Sequence, residues 1–216
     1  MTAEGGTLTH SRKLQIRTAK YKKGSLSVKS NKLTADMENK RNFKCLTLPL
    51  SAEDAEALRA GDYVRLSGTL YTARDAAHKR MYACIAEGAP LPVNLSGQAI
   101  YYVGPCFSAD GKPTGAGPTT SGRMDAYAPA LYDCGVRATI GKGDRSPAVY
   151  EAIKRNKALY LCAVGGAGAL YAKAITSFRT AAYDDLGTEA IRQMEVKDFP
   201  VIVGIDSRGE SIFAKI

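Results

Sequence analysis

Hydrophobic positions show no period over residues 1–42 and fall into ordered patterns only from Cys45 onward. Leu46-Thr47-Leu48-Pro49-Leu50 reads as a short strand. Ser51 followed three residues later by Asp54 has the form of a capping box, predicting a short helix that stops at Gly61. Tyr63 to Thr72 alternates as a half-buried strand does, and Asp75 to Glu87 reads as a helix. Gln98 to Val103 is an apolar strand ended by Gly104-Pro105, and residues 108–118 form a Gly/Pro-rich loop without a core pattern. Thr119 to Asp133 predicts a helix stopped at Gly135, and Arg137 to Ile140 a strand. Ser146-Pro147 opens another helix, because proline suits the first turn. Ala158 to Val164 reads as a buried strand, followed by Gly165-Gly166-Ala167-Gly168 and a helical Ala/Leu stretch. Phe199 to Asp206 and Glu210 to Ala214 flank Ser207-Arg208-Gly209 as a terminal hairpin. Strands alternating with helices predict an α/β domain with some antiparallel pairing.

Charge follows the same division. The 216-residue chain carries a formal charge of +9, but residues 1–44 alone hold 11 Lys and Arg against Glu4, Asp36 and Glu38. The remainder is nearly neutral, so the basic character belongs to an extension and is weak evidence for a polyanion partner. Residues 1–42 are therefore read as a disordered or loosely docked basic extension, and residues 43–216 as a single domain. A solvated extension is preferred over an organellar transit segment. No apolar run reaches the roughly 20 residues of a membrane span, and no secretory signal is evident. Cys45, Cys84, Cys106, Cys134 and Cys162 are spaced 39, 22, 28 and 28 residues apart, with no CxxC and only two His. No metal site is read from them. Cys84, Cys134 and Cys162 read as small buried hydrophobes and Cys106, after a Gly-Pro turn, as more exposed. A reducing, cytoplasmic compartment is expected.

Three stretches carry candidate chemistry at places where a strand is expected to meet a helix, the usual ligand position in α/β folds. Gly117-Pro118-Thr119-Thr120-Ser121-Gly122-Arg123-Met124-Asp125 would deliver three hydroxyls to a helix N-terminus, where free N–H groups attract anions, with Arg123 one turn in. The plain alternative is an N-cap cluster beside an exposed arginine. Ile140-Gly141-Lys142-Gly143-Asp144-Arg145 lets backbone approach a ligand and offers Lys142 as a point charge, or is an ordinary tight turn. It lacks P-loop spacing. In Thr72-Ala73-Arg74-Asp75-Ala76-Ala77-His78, Asp75 could cap the helix and Arg74 face a ligand, while a lone helical His78 is more often packed or exposed than catalytic. Gly165 to Gly168 lacks the GxGxxG order and reads as close helix–strand packing. Two or three cations with hydroxyls suit a small dicarboxylate, and the absence of ligand, nucleophile–base or cofactor motifs gives the pattern of half an active site.

"GTLYTARDAAHKR", "IYYVGPC", "GPTTSGRMD", "IGKGDRS" and "YDDLGTEAIRQMEVKDFPVIVGIDSRG", in this order, resemble the beta subunit or C-terminal domain of class I iron–sulfur hydro-lyases, the class I fumarases and L-tartrate dehydratases. The resemblance runs from about Leu46 to Ile216 and leaves residues 1–42 outside. It implies a three-layer β/β/α swivelling domain with mixed parallel and antiparallel sheets. It also implies an alpha subunit partner whose cysteines hold a 4Fe-4S cluster, and a beta chain inactive alone. By motif, Thr119 matches the candidate base that takes the C3 proton of malate, with help expected from its helix-terminus setting. Arg74, Arg123 and Lys142 match substrate-carboxylate contacts. His78, Thr120 and Asp125 fall in supporting positions around them.

In the resemblance, the tartrate branch tends to carry a bulkier residue where Gly122 stands and to lack Asp and Arg at the positions of Asp144 and Arg145, which leans this chain toward fumarate. Three functions stay open at this point: a fumarate hydratase beta subunit, an L-tartrate dehydratase beta subunit, and a non-catalytic module binding anions or nucleic acid through the basic extension. The third is disfavoured, because it leaves the hydroxyl and cation motifs far from the extension without a role. An exposed apolar face is expected where the alpha subunit would dock, with self-association in its absence.

Overall fold

The computed structural model describes residues 43–213, so the reading of residues 1–42 lies outside the described residues. Alternation along Tyr63–Thr72 (β2) buries Val64, Leu66 and Leu70 on one face. β2 pairs in parallel with Lys44–Leu48 (β1) and, at its end, with Ala99–Tyr101 (β3). β3 continues in parallel to Ala138–Gly141 (β6), and β6 to Leu159–Cys162 (β7). Helices fill the crossovers: Asp75–Ala86 (α2) between β2 and β3, Ala128–Asp133 (α3) before β6, and Pro147–Asn156 (α4) before β7.

The strand that organises the molecule is Ile191–Ile205 (β9), 15 residues long. It runs antiparallel to β2 from Thr72↔Arg192 to Tyr63↔Ile202, and its end also pairs with β7 at Cys162↔Ile202 and Tyr160↔Ile205. The five strands β2, β3, β6, β7 and β9 thus close into a ring. β1 and Ile175–Ala182 (β8), which pairs with the first half of β9, flank it. The pleat sends alternate residues to two cores. Tyr101, Ile140, Leu159, Leu161, Phe199 and Val203 pack inside with Leu58 and Tyr171. Ile100, Tyr102 and Tyr160 pack outward against Ala77, Met81, Leu131, Val149 and Ile153 of α2, α3 and α4. Two strand layers and one helix layer result, the three-layer α/β arrangement expected.

Several local readings hold. Ser51 caps Ala52–Ala57 (α1) in a reciprocal capping box with Asp54, β2, α2, β6 and β7 lie within one or two residues of their predicted spans, and α4 opens at Ser146-Pro147 as expected. Others are corrected. α1 ends at Ala57, so Gly61 lies in a later turn at φ +91°. The 108–118 loop contains Pro113–Gly115 (β5), a hairpin partner of Cys106–Phe107 (β4), seated by Phe107 stacked on Phe178 at 4.2 Å. The terminal hairpin is a single bridge, Ile205↔Ser211. Between its two residues the Asp206 carboxylate accepts N–H bonds from Arg208 and Glu210 and turns the chain. Ile175–Ala182 and the first half of β9 were not anticipated as strands.

The helix predicted from Thr119 to Asp133 is broken into a one-turn 3₁₀ helix at Ser121–Met124 and the separate α3. Pro129 fits the first turn of α3 and could not sit in a continuous helix interior. Cys106 is exposed as expected, but Cys134 is exposed too, and Cys84 and Cys162 are only half-buried. Gly165 to Gly168 leads into Gly168–Ala174 (α5), where Gly168 lies against Gly117 rather than against a strand interior.

Candidate active site

Because β2, β3, β6 and β7 are parallel and adjacent, their carboxyl ends form one edge. Arg74 follows β2, Gly104 follows β3 and Lys142 follows β6. The Thr119–Ser121 segment is laid across the ends of β3 and β6. The Thr119 N–H donates to the Tyr102 carbonyl at 2.7 Å, and the Lys142 N–H donates to the Thr119 carbonyl at 3.2 Å. The Ser121 N–H donates to the Lys142 carbonyl at 2.8 Å. All three predicted strand-end stretches are therefore brought to one edge.

Gly141 makes the approach possible. A Cβ there would stand 2.0 Å from Ser121 Oγ, 3.0 Å from Tyr102 Cδ2 and 3.2 Å from the Thr119 carbonyl. This glycine admits the hydroxyl segment itself, where the sequence suggested an approach by ligand. The expected helix N-terminus is absent. Thr120 precedes a four-residue 3₁₀ turn without a side-chain cap, so little macrodipole is available to Thr119. Of the three hydroxyl residues, Thr119 is half-buried and Thr120 exposed. Ser121 is buried, its Oγ 2.9 Å from Tyr160 Oη.

The arginines meet through acids. Arg123 comes from the 3₁₀ turn and donates from Nε and Nη2 to the two Asp75 oxygens, at 2.9 and 2.8 Å. Asp75 does not cap α2 with its side chain. Arg74 holds the N-cap position, and Glu189 Oε2 accepts the Ala76 N–H at 2.8 Å. Arg74 Nη2 stands 3.4 Å from Glu189 Oε1, and its Nε 3.9 Å from Asp75 Oδ2. Glu189–Arg74–Asp75–Arg123 is thus a line of alternating charge drawn from three separate segments. Lys142 is exposed, its Cδ near Gly165. Val164 and Leu170, at 56% and 55% two of the four exposed large hydrophobic residues among those described, flank that stretch. The expectation of an exposed apolar face is met only by such scattered residues.

Beneath this surface lies a buried cation. The Arg145 side chain is 0% exposed and donates from Nε to Asp125 Oδ1 at 2.7 Å, from Nη1 to Thr139 Oγ1 at 3.0 Å and from Nη2 to Tyr102 Oη at 3.4 Å. Its guanidinium also lies over the Tyr102 and Tyr160 rings. Burial alone would lower its pKa, but the neighbouring Tyr102, Tyr132 and Asp125 outweigh that and raise it above the ordinary arginine value. Asp125 accepts in addition from the Ser146 N–H at 2.6 Å, tying the end of the 3₁₀ turn to the start of α4. Asp125 is thereby held beneath the edge.

His78 is fully buried, with Nδ1 2.8 Å from the Arg74 carbonyl and its ring edge-on to Tyr102. Burial drives its pKa down to about 4, so it is neutral near pH 7. With Nδ1–H as the donor to that carbonyl, Nε2 is the bare nitrogen, and it has no partner among the described residues. His78 therefore holds the β2–α2 junction that carries Arg74. Sequence reasoning missed Glu189, whose only sign is its place in the "DDLGTEAIR" stretch. It also missed the burial of Arg145, which no local pattern distinguishes from an exposed arginine.

The comparisons agree on one family. A family model described as Fumarase C-terminus matches residues 17–216, beginning ahead of Leu46, where the motif resemblance starts. Fumarate hydratase 2 of Leishmania major is 39% identical over 158 residues, covering 72% of this chain and 28% of the relative. A putative fumarate hydratase class I of Geobacillus stearothermophilus is 36% identical over 188 residues, covering 84% and 36%. The L(+)-tartrate dehydratase subunit beta of Escherichia coli K12 is 35% identical over 178 residues, covering 80% of this chain and 87% of the relative. The chain thus spans only about a third or less of its fumarate hydratase relatives but nearly the whole of a tartrate dehydratase subunit. With this coverage, and with its hydroxyl and cation motifs gathered on one edge of the sheet, the chain belongs to the Fumarase C-terminus family of hydro-lyases.

Proposed function

We propose that this chain is the beta subunit of a class I fumarate hydratase, interconverting (S)-malate and fumarate plus water. The observation that carries the reading is the single strand-end edge uniting Arg74, Thr119, Arg123 and Lys142. Arg74 and Arg123 are the forked donors for the two carboxylates of the substrate, and Lys142 adds a point charge. Thr119 Oγ1 takes the C3 proton of malate, and an acid on the partner subunit protonates the C2 hydroxyl so that it leaves as water; in the hydration direction both proton transfers run in reverse. With no helix dipole at its back, an alkoxide-like Thr119 relies on the cations around it.

Among the described residues no group of three or more His, Cys, Asp or Glu side chains could hold a metal ion. On this reading a 4Fe-4S cluster, held by an alpha subunit partner, supplies Lewis-acid polarisation of the departing hydroxyl when bound. The partner is supported by the "subunit beta" relative and by the length that the fumarate hydratase relatives have beyond this chain.

The second reading, an L-tartrate dehydratase subunit, is favoured by the 87% coverage of that relative. A Cβ at Gly122 would meet no atom within 4 Å, so packing around that position does not itself demand glycine. Among the described residues no helix is long and apolar enough to cross a membrane. The non-catalytic alternative gains nothing from relatives named as hydratases and dehydratases.

The test is anaerobic co-expression with the cognate alpha chain, cluster reconstitution, and fumarate absorbance followed with (S)-malate and, in parallel, L-tartrate turnover. Activity requiring both chains, higher with malate, and lost by orders of magnitude in Thr119→Ala is expected. Substantial turnover by the cluster-free chain alone would sink the proposal, and preference for tartrate would move it to the second reading.

A further inference from the structure

An arginine has two edges on which it can grip a carboxylate: Nε with one Nη, or the two Nη groups together. In Arg123 the first edge is taken by Asp75 in a bidentate pair, which leaves the second turned away from Asp75. The pair is half exposed, with side chains 52% and 32% accessible, and exposed ion pairs add little to stability. Its fixed geometry is therefore better accounted for by orientation than by folding. The anchor on the other side is rigid, because Asp75 lies in the first turn of the 12-residue α2, held at its start by Glu189. The same Asp75 carboxylate also stands 3.9 Å from Nε of Arg74, so one acid hydrogen-bonds Arg123 and lies within ion-pair distance of Arg74.

We infer that Asp75 is a positioning residue for Arg123, setting which edge of that guanidinium faces the substrate and how far it stands from Arg74. The inference deepens the dicarboxylate reading proposed above and rests on it. It predicts a change whose sign opposes simple electrostatics. Removing a negative charge beside an anion site should tighten substrate binding if Asp75 merely competes with the substrate for Arg123. It weakens binding if Asp75 orients the fork.

The experiment is steady-state fumarate hydration by the reconstituted two-subunit enzyme, comparing wild type, Asp75→Asn, Arg123→Ala and the double variant. Asp75→Asn is expected to raise KM about tenfold, the scale of re-ordering one rotamer-rich side chain, with kcat changed far less and the melting temperature kept. Arg123→Ala raises KM further, and adding Asp75→Asn to it has no additional effect, since Asp75 acts through Arg123. A lowered or unchanged KM in Asp75→Asn, or effects that multiply in the double variant, overturns the inference while leaving Arg123 as an anchor. An unchanged KM in Arg123→Ala overturns the anchor reading and the inference with it. Should Asp75→Asn fail to fold, Asp75→Ser, well suited to a helix start, must give the same KM rise and the same non-additivity.

Discussion

At the scale of single residues, the site is built by what is left out as much as by what is present. A Cβ on Gly104 would stand 2.7 Å from Nη1 of Arg74 and 3.3 Å from the Thr188 carbonyl. The guanidinium end can swing away, so Gly104→Ala is expected to change stability by less than about 1 kcal/mol while moving Arg74 off its place. In the reconstituted enzyme KM should rise about tenfold; an unchanged KM would show that Arg74 is not an anchor. His78 gives a pH signature. Its folded pKa, about 4, lies below the ordinary 6.5 because burial disfavours the cation. Below pH 6.5 the unfolded chain takes up a proton that the native state refuses. Stability is therefore flat above that pH and falls as pH drops toward 4, by about 3 kcal/mol from this group. His78→Asn removes that share. Urea unfolding at pH 7 and pH 4.5 should show a smaller loss in the variant, and an equal loss would contradict a buried neutral His78.

At the scale of elements, the edge depends on a loop pressed onto strand ends. Gly141→Ala would put a methyl 2.0 Å from Ser121 Oγ and 3.0 Å from the Tyr102 ring. Both neighbours are buried and hydrogen-bonded, so relief requires shifting the Thr119–Ser121 segment. The expected cost is roughly 1–3 kcal/mol, a fall of several degrees in melting temperature, with kcat lowered because Thr119 moves. A variant that melts like wild type with full kcat would refute this packing. The elements also show how far the sequence could be read. β2 and α1 were legible because alternation and the Ser51–Asp54 box are local signals. Two of the three strand-end stretches were legible because glycines punctuate them, Gly117 and Gly122 in one and Gly141 and Gly143 in the other. The first half of β9 was not, since Gln193, Glu195 and Lys197 line one face with polar and charged side chains and Arg192 breaks the apolar run on the other. The break between the 3₁₀ turn and α3 was signalled by Pro129, which the single-helix reading of Thr119 to Asp133 passed over. Glu189 meets Arg74 across 115 positions of chain and Arg123 meets Asp75 across 48, distances no local signal spans.

At the scale of the whole molecule, the ring makes β9 the common partner of β2, β7 and β8. Backbone amides bonded across the β2–β9 and β7–β9 pairs are expected to exchange with solvent last, and together, because opening either pair breaks the same closure. The β4–β5 hairpin, with two described strands of two and three residues, should exchange well before them. Hydrogen exchange followed by mass spectrometry checks the order; early exchange along β2 and β9 would mean that the closure is not the stable unit.

The closing strand also fixes a timetable. Among the described residues β9 is the last of nine strands in chain order, and Glu189, which steadies both α2 and Arg74, is reached only just before it. While the polypeptide is being synthesised, every other strand and the Thr119, Arg123 and Lys142 segments emerge first and must wait with one flank unsealed. The strand-end edge therefore lacks its Glu189 support and its closing strand until synthesis has passed Ile205, and a partner that recognises the finished edge meets only chains that have passed that point.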